Sequence, residues 1–275
     1  MTQLQAAQQQ LVQSEKLVAL AALMAGVAHE IQNPLNFVNN FSEVSLELAD
    51  ELAEAWRESV RDAVLEAGLL VTITQNLGKI HQHGTRANRI VKGMHAHAQP
   101  PTGPRQAVNT NALVTDCLGV AYRNARAQHC SFKVARTLEL DPHVGELWLV
   151  PQELRRVLLN VYTNAFYTLW ARMPAIGPEF APQVRVRTRR LGQRVEWRVH
   201  DNGGGIPEAA VDKIFEPFFT TKPPGEGTGL GLSLSHDIIQ GYGGSLTVHT
   251  NEDESTEFTI GLPVELPPFP IGPRA

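Results

Sequence analysis

The sequence predicts a multidomain protein, helical up to about residue 99 and α/β from about residue 105. Three observations predict it. Apolar residues recur at intervals of three and four through the first part. The stretch Gln99-Pro-Pro-Thr-Gly-Pro104 then packs three prolines and a glycine into six residues, which ends a helix and marks a linker. After it, strand-like runs alternate with helical ones, the order that builds an α/β domain.

Bulk properties bound the function. At 275 residues and 43% hydrophobic, the chain can fill two modest cores. Net charge is −4, from 24 basic and 28 acidic residues, so there is no basic field to hold nucleic acid through counterion release. Cys117 and Cys130 are too few for a disulfide scaffold and are expected as buried small hydrophobes in a reducing compartment. The longest apolar run, Leu17 to Ala28, is about a dozen residues, whereas a spanning helix needs roughly 20. No charged-then-apolar signal peptide opens the chain, so the expectation is no membrane span and a cytoplasmic location.

The helical part divides in two. Leu17, Leu20, Met24, Val27 and Ile31 form one stripe, and Leu4, Leu11 and Val18 extend it upstream as a seven-residue repeat that suits a dimeric coiled-coil stem. Pro34 removes a backbone donor, yet the period resumes at Leu35, Val38, Phe41, Val44, Leu48 and Leu52, which predicts a kink and not a stop. A second stripe, Leu70, Ile73, Leu77, Ile80, Ala87, Ile90 and Met94, predicts a second long helix, with an antiparallel turn between Ala53 and Gly68.

Beyond the linker, a helix is expected over Thr110 to Arg126, strands over Ser131 to Leu140 and Leu147 to Val150, and a helix opening at Pro151. Strands at Val184 to Leu191 and Val195 to Val199 follow. A helix from about Leu230 to Gly241 and a hairpin of Ser245 to Thr250 with Glu257 to Leu262 close the domain, ahead of a Pro-rich tail over 267–275.

Four clusters carry chemistry. His29 lies two positions past Val27, about 200° round the helix from the apolar stripe, and so faces solvent. Glu30 beside it can take the imidazole proton or orient the ring, leaving a nitrogen free as nucleophile, and Asn33 shares the face one turn on. Alone, such a pair is ordinary solvated surface. Asp201-Asn-Gly-Gly-Gly-Ile206 follows a strand, so its glycines permit close backbone approach to a ligand and its acid can accept from an exocyclic amine such as that of adenine. Alone, it is an Asx-type turn.

Gly225-Glu-Gly-Thr-Gly-Leu-Gly231 runs into a helix, so backbone donors and the positive helix end converge where phosphates can sit. It is neither a Walker loop, lacking Gly-Lys-Thr or Gly-Lys-Ser, nor a Rossmann turn, lacking a preceding strand. Asn160 and Asn164, four apart on one helix face, offer neutral oxygens suited to a hydrated Mg²⁺, although helix asparagines equally cap or bridge neighbours.

Read in order, His29-Glu-Ile-Gln-Asn-Pro-Leu35, Asn160-Val-Tyr-Thr-Asn164-Ala, Asp201-Asn-Gly-Gly-Gly205, Phe215-Glu-Pro-Phe-Phe219 and Gly227-Thr-Gly-Leu-Gly231 resemble the boxes of sensor histidine kinases of two-component systems. The resemblance implies a stem and dimerisation/phosphoacceptor hairpin over 1–99, forming a dimeric four-helix bundle, a linker at 100–104, and an α/β sandwich ATP-binding domain of the histidine kinase/chaperone/topoisomerase type over 105–266. It implies ATP and Mg²⁺ as cofactors, a homodimer, and a response regulator receiver domain as partner. His29 becomes the phosphoacceptor, Glu30 its acid-base partner, and Asn33 the residue that helps hydrolyse a phosphorylated partner. Asp201 becomes the adenine reader, Asn164 the Mg²⁺ ligand with Asn160 nearby. Gly203, Gly205, Ile206, Gly227, Gly229, Leu230 and Gly231 shape the nucleotide pocket, and Phe215 to Thr228 becomes a mobile lid.

One position departs from the pattern. Three residues after Asn164, where many relatives place lysine or arginine near the phosphates, this chain has Tyr167. Lys222 in the lid is the first candidate to replace that charge and Arg172 the second; Lys222 is otherwise a solvated loop lysine. Two rivals share the glycine boxes: a nucleotide-binding scaffold without transfer, and a chaperone-type ATPase. The latter needs a general base on the Asn164 helix, where Asn160 is a poor one, and has no use for the His29 helix.

Overall fold

The computed structural model describes residues 31–57, 62–98, 103–223 and 226–265. The upstream stem, His29, Glu30 and the tail lie outside the described residues. Two compact units divide the chain: one runs to Gln99 and takes in Thr220–Thr228, and the other comprises Pro100–Phe219 and Gly229–Ala275.

The first unit contains two helices. Residues 31–55 form α1, which runs through Pro34, and Ala63–Ala98 form α2. Asp62 starts α2 by accepting from the Val64 and Leu65 amides at 3.0 Å, which satisfies two of the donors a helix leaves open. The covered positions of α1 recur with spacings of three and four, from Pro34 through Val38, Phe41 and Leu48 to Leu52. Those of α2 run through Glu66, Leu69, Ile73, Asn76, Ile80, Ala87 and Ile90. Phe37 stacks on His83 with ring centroids 4.6 Å apart, and Lys79 lies over Phe41. Four members of the apolar stripes stay outside: Leu35, Val44, Leu70 and Leu77 are each more than two-fifths exposed in the single chain. The sequence stripes therefore combine two faces, one covered within the chain and one open.

The second unit is an α/β sandwich. β1 (Gln106–Asn109) pairs antiparallel with β3 (Glu146–Leu149) as a small separate sheet. The main sheet has the order β2-β4-β5-β7-β6, where β2 is Ala135–Leu140, β4 Gln183–Leu191, β5 Arg194–Asp201, β6 Ser245–Asn251 and β7 Ser255–Pro263. Only β2 and β4 run parallel, so the chain between them needs a crossover, which includes a helix. The helices are α3 (Thr110–Gln128), α4 (Pro151–Ile176), the short α5 (Glu208–Val211) and α6 (Gly231–Gly241).

Strand alternation sets the layers. Val184, Val186 and Thr188 of β4 and Val195, Trp197 and Val199 of β5 are buried in a core with Val114, Leu158, Tyr162, Phe166 and Ile239 from the helices. The residues between them, including Arg185, Arg187 and Arg198, carry the opposite face, where Arg187 meets Glu139 at 2.6 Å and Arg198 meets Glu196 at 2.5 Å. Asn109 caps α3 by accepting from the Ala112 amide, and Pro151 at the first turn of α4 gives up a donor that would have had no partner.

Several expectations change. The strand expected from Ser131 begins at Ala135, and β1 and α5 carried no sequence signal strong enough to mark them. Cys117 is buried, with its thiol pushed up to about 11 by that burial, but Cys130 is exposed, because it follows the end of α3 instead of lying within it. Among the described residues no helix is long and apolar enough to cross a membrane.

Candidate functional site

In the α/β unit, the middle of α4 presents one polar face to a chain otherwise devoted to core. Leu154, Val157, Leu158, Val161, Tyr162, Ala165, Phe166 and Leu169 are buried, while Asn160, Asn164 and Thr168, spaced by four, share the remaining face. Asn160 and Thr168 each meet a different part of the site.

Asn160 meets α6. Its Nδ2 donates to the Gly231 carbonyl at 2.8 Å and to Ser235 Oγ at 3.0 Å, and Ser235 Oγ donates to the same carbonyl at 2.7 Å. The amide nitrogen is thus committed to fastening the first turn of α6, leaving Oδ1 as the group Asn160 can offer a metal. At that turn Leu230 takes the N-cap position, where its apolar side chain makes no capping hydrogen bond. Gly229 sets the approach: its φ is +66°, Phe218 N–H donates to its carbonyl at 3.0 Å, and a Cβ there would sit 2.2 Å from the Phe218 carbonyl carbon. Phe215 packs at 5.1 Å from the His236 ring on α6, which anchors the Phe-rich box to the same helix.

Thr168 meets Asp201. Asp201 ends β5 and is buried; its Oδ1 accepts from the Gly203 amide at 2.9 Å and from Thr168 Oγ1 at 3.3 Å. Burial raises its carboxyl to about 7, against the pull of those two hydrogen bonds. The glycine loop that follows lies hard against the β6–β7 turn. At Gly205 φ is +72° and a Cβ would fall 2.3 Å from the Asn251 carbonyl oxygen, while the Ile206 amide donates to Thr250 Oγ1 at 2.7 Å.

Asn164 is half-buried between those two anchors on the helix. Tyr167 turns to an aromatic group: its ring centroid is 6.3 Å from Trp170, which stacks on His129 at 3.9 Å. Arg172, the second candidate for phosphate charge, donates to the backbone carbonyls of Asn202, Asp253 and Glu254.

Within one unit the structure therefore brings together Asn160, Asn164, Asp201, Gly203, Gly205, Ile206, Phe215, Gly229, Leu230 and Gly231. Asn33, half-buried in α1, and Lys222, Gly227 and Thr228 belong to the other unit. There, burial lowers the Lys222 ammonium to about 8 against the opposing charge of Glu226, and a Cβ at Gly227 would meet Thr220 Oγ1 at 2.5 Å. Sequence reasoning missed Thr168 and Ser235. The signal for Thr168 was the continuation of the four-residue spacing from Asn160 and Asn164, whereas nothing local marks Ser235.

Over residues 149–266 the chain matches the family described as histidine kinase-, DNA gyrase B- and HSP90-like ATPase. It is 32% identical over 259 residues to sensor histidine kinase ZraS of Escherichia coli strain K12, covering 94% of this chain and 49% of that protein. It is 30% identical over 270 residues to the two-component sensor PprA of Pseudomonas aeruginosa, covering 97% of this chain and 27% of the relative. A solved catalytic domain of histidine kinase ThkA aligns with a TM-score of 0.47 and 26% identity, over 59% of this chain and 97% of that one. The chain spans about half the length or less of these curated relatives. Residues 149–266 match the ATPase-type family, and nearly the whole chain is similar to sensor histidine kinases and two-component sensors.

Proposed function

We propose that this chain binds Mg-ATP in its α/β unit, phosphorylates His29, and passes the phosphoryl group to an aspartate on a response regulator receiver domain. The observation that carries the reading is the α6 terminus, where Gly229 lets the chain pass close to Phe218 and Asn160 fastens the first helical turn. Backbone amides and the helix dipole there favour phosphate. Asp201, buried at the other end of the α4 polar face, has the acceptor chemistry that an adenine amine needs. Gly203 and Gly205 let the loop beside Asp201 pack close against Thr168 and the Asn251 carbonyl, where a Cβ would collide.

Asn164, with the Oδ1 of Asn160, supplies neutral hard oxygens, which fit Mg²⁺ held mainly by its phosphates and waters. Bound there, Mg²⁺ would neutralise charge on the phosphates. Phosphoryl transfer then asks the protein for positioning and electrostatics, so His29 needs a free imidazole nitrogen and Glu30 to manage its proton. Asn33, four positions after His29 in sequence, is assigned to hydrolysis of the phosphorylated partner. Lys222, on Thr220–Thr228, supplies the cation that Tyr167 does not.

The open apolar face of α1 and α2 supports a homodimer. Leu35, Val44, Leu70 and Leu77 leave a two-helix hairpin with an unpaired stripe, which a second copy would cover as a four-helix bundle. The linker at 100–104 would be the hinge between phosphoacceptor hairpin and catalytic domain. Dependence on ATP and a receiver domain places the reaction in the cytoplasm.

The test is incubation with γ-labelled ATP and Mg²⁺, comparing wild type with His29→Gln. Acid-labile label that disappears in His29→Gln is the expected result. Label on another side chain, or none despite bound nucleotide, would leave only a nucleotide-binding scaffold.

A further inference from the structure

Arg172 stands one turn beyond Thr168 on α4, yet it reaches two segments far from it in sequence. Its Nη1 donates to the Asn202 carbonyl at 3.4 Å and to the Glu254 carbonyl at 3.3 Å, and its Nη2 donates to the Asp253 carbonyl. The Phe180 ring lies under the guanidinium, 5.7 Å from its carbon. Asp253 has φ +64°, uncommon for a residue with a side chain, so the β6–β7 turn is held in a conformation that favours glycine. At Gly204 a Cβ would come within 3.0 Å of Arg172 Nη1. The loop and the guanidinium are in close contact.

We infer that Arg172 is a positioning residue for the nucleotide site: it clamps the Asp201–Gly205 loop to the β6–β7 turn, so that Asp201 and the Gly203 amide are already in place when the adenine end arrives. The inference rests on the nucleotide-binding reading proposed for this site. Other ties converge on the same loop. Asn202 Oδ1 accepts from the Gln183 amide at 2.7 Å, its Nδ2 donates to the Ala181 carbonyl at 2.9 Å, and Ile206 is tied to Thr250. Those bonds hold the loop along one side and at its end, but Arg172 alone joins α4, the loop and the turn among these contacts.

A guanidinium suits the task because it is planar and carries five donors in a fixed fork, whereas an ammonium is a single point. Two carbonyls on the turn and one on the loop are reached from its two terminal nitrogens. Preorganisation of this kind is read in affinity, because a loop that must be ordered on binding takes its entropy cost from the complex.

The test uses the full chain with Arg172→Met and Arg172→Lys. Adenosine, ADP and ATP should each bind about 10–100-fold more weakly to Arg172→Met, by the same factor for all three. The KM for ATP should rise with them, while kcat for label transfer at saturating ATP stays within about threefold. Arg172→Lys should not recover more than a small part of the affinity. Without nucleotide, amide hydrogen exchange in 202–205 and 251–254 should quicken about tenfold in Arg172→Met.

A loss that grows from adenosine to ATP would overturn the inference by putting Arg172 on the phosphates. Full rescue by Arg172→Lys would reduce its role to charge, and unchanged exchange in both segments would remove the clamp. If the wild type binds no adenine nucleotide, the functional reading falls, and the exchange rates still decide whether Arg172 holds the loop.

Discussion

Asn160 on α4 donates from Nδ2 to the Gly231 carbonyl on α6 at 2.8 Å, joining residues 71 positions apart in sequence at the point where a phosphate-binding helix would begin. A side chain with metal-ligand chemistry is therefore also a fastener. Asn160→Ala removes bonds to both Gly231 and Ser235, and the cost of unmaking two part-buried hydrogen bonds is about 1–3 kcal/mol. Thermal unfolding should show that loss, and calorimetry should show ATP affinity at least about tenfold lower. Unchanged affinity with lowered stability would confine Asn160 to the fold.

Asp201 makes the stability of the nucleotide-free protein depend on pH. Its folded-state carboxyl, near 7, lies above the ordinary 3.8, so the folded state holds the proton more tightly. That contribution is fully present below about pH 4 and is lost as pH rises through about 7; the difference corresponds to roughly 4 kcal/mol at most. Asp201→Asn cannot ionise. It should be more stable than wild type at pH 8 and lose that advantage at pH 4 in denaturant titrations. The same variant should bind ATP more weakly, because an acceptor oxygen facing the amine becomes a possible donor.

Gly205 and Gly177 separate strain from collision. Both have positive φ, +72° and +85°, but a Cβ at Gly205 falls 2.3 Å from the Asn251 oxygen, while nothing lies within 4 Å of one at Gly177. Gly177→Ala, at φ +85° and ψ −161°, should cost about 1–3 kcal/mol from backbone conformation alone. Gly205→Ala should cost clearly more, since the β6–β7 turn must move. Paired urea titrations check the difference, and equal costs would show that the turn yields freely.

Lys222 predicts an alkaline limit. With its ammonium lowered to about 8, the nucleotide-free protein loses this positive charge as pH rises through that value. If Lys222 neutralises phosphate, kcat/KM for ATP falls above about pH 8, and Lys222→Arg, which stays charged, carries activity to higher pH. Coincident profiles for wild type and Lys222→Arg would move the phosphate cation elsewhere.

Glu30 is assigned the proton of His29. Glu30→Gln should slow autophosphorylation by about 10²–10⁴ with little change in ATP affinity, the usual worth of a positioned acid-base group. Rapid-quench measurements with labelled ATP check it, and an unchanged rate would retire the role.

The α/β character of the second half was legible because β4 and β5 alternate cleanly: Val184, Val186, Val195, Trp197 and Val199 are buried, and the residues between them are more exposed. β2 was harder, since none of its residues is buried and its start could not be told from the preceding loop. β1 has four residues and one buried position, so its identity comes from pairing with β3 and not from its own pattern. In the hairpin, the apolar stripes were visible, but Leu70 and Leu77 could not be told from Ile73 and Ile80, because spacings of three and four fit two neighbouring helix faces equally well.

By itself the sequence determined the chemical parts: the His29 box, the asparagines of α4, the acid that ends β5 with the glycines after it, and the glycine run into α6. Local rules suffice for these, since helix phase and glycine permissiveness act over a few residues. Only the tertiary structure decided what each part is joined to. Thr168 meets Asp201, Asn160 meets Gly231, and Arg172 meets Asn202, Asp253 and Glu254. Those contacts span 30 to 82 positions, and no local pattern encodes them, because a side chain's partner is set by the packing of whole elements.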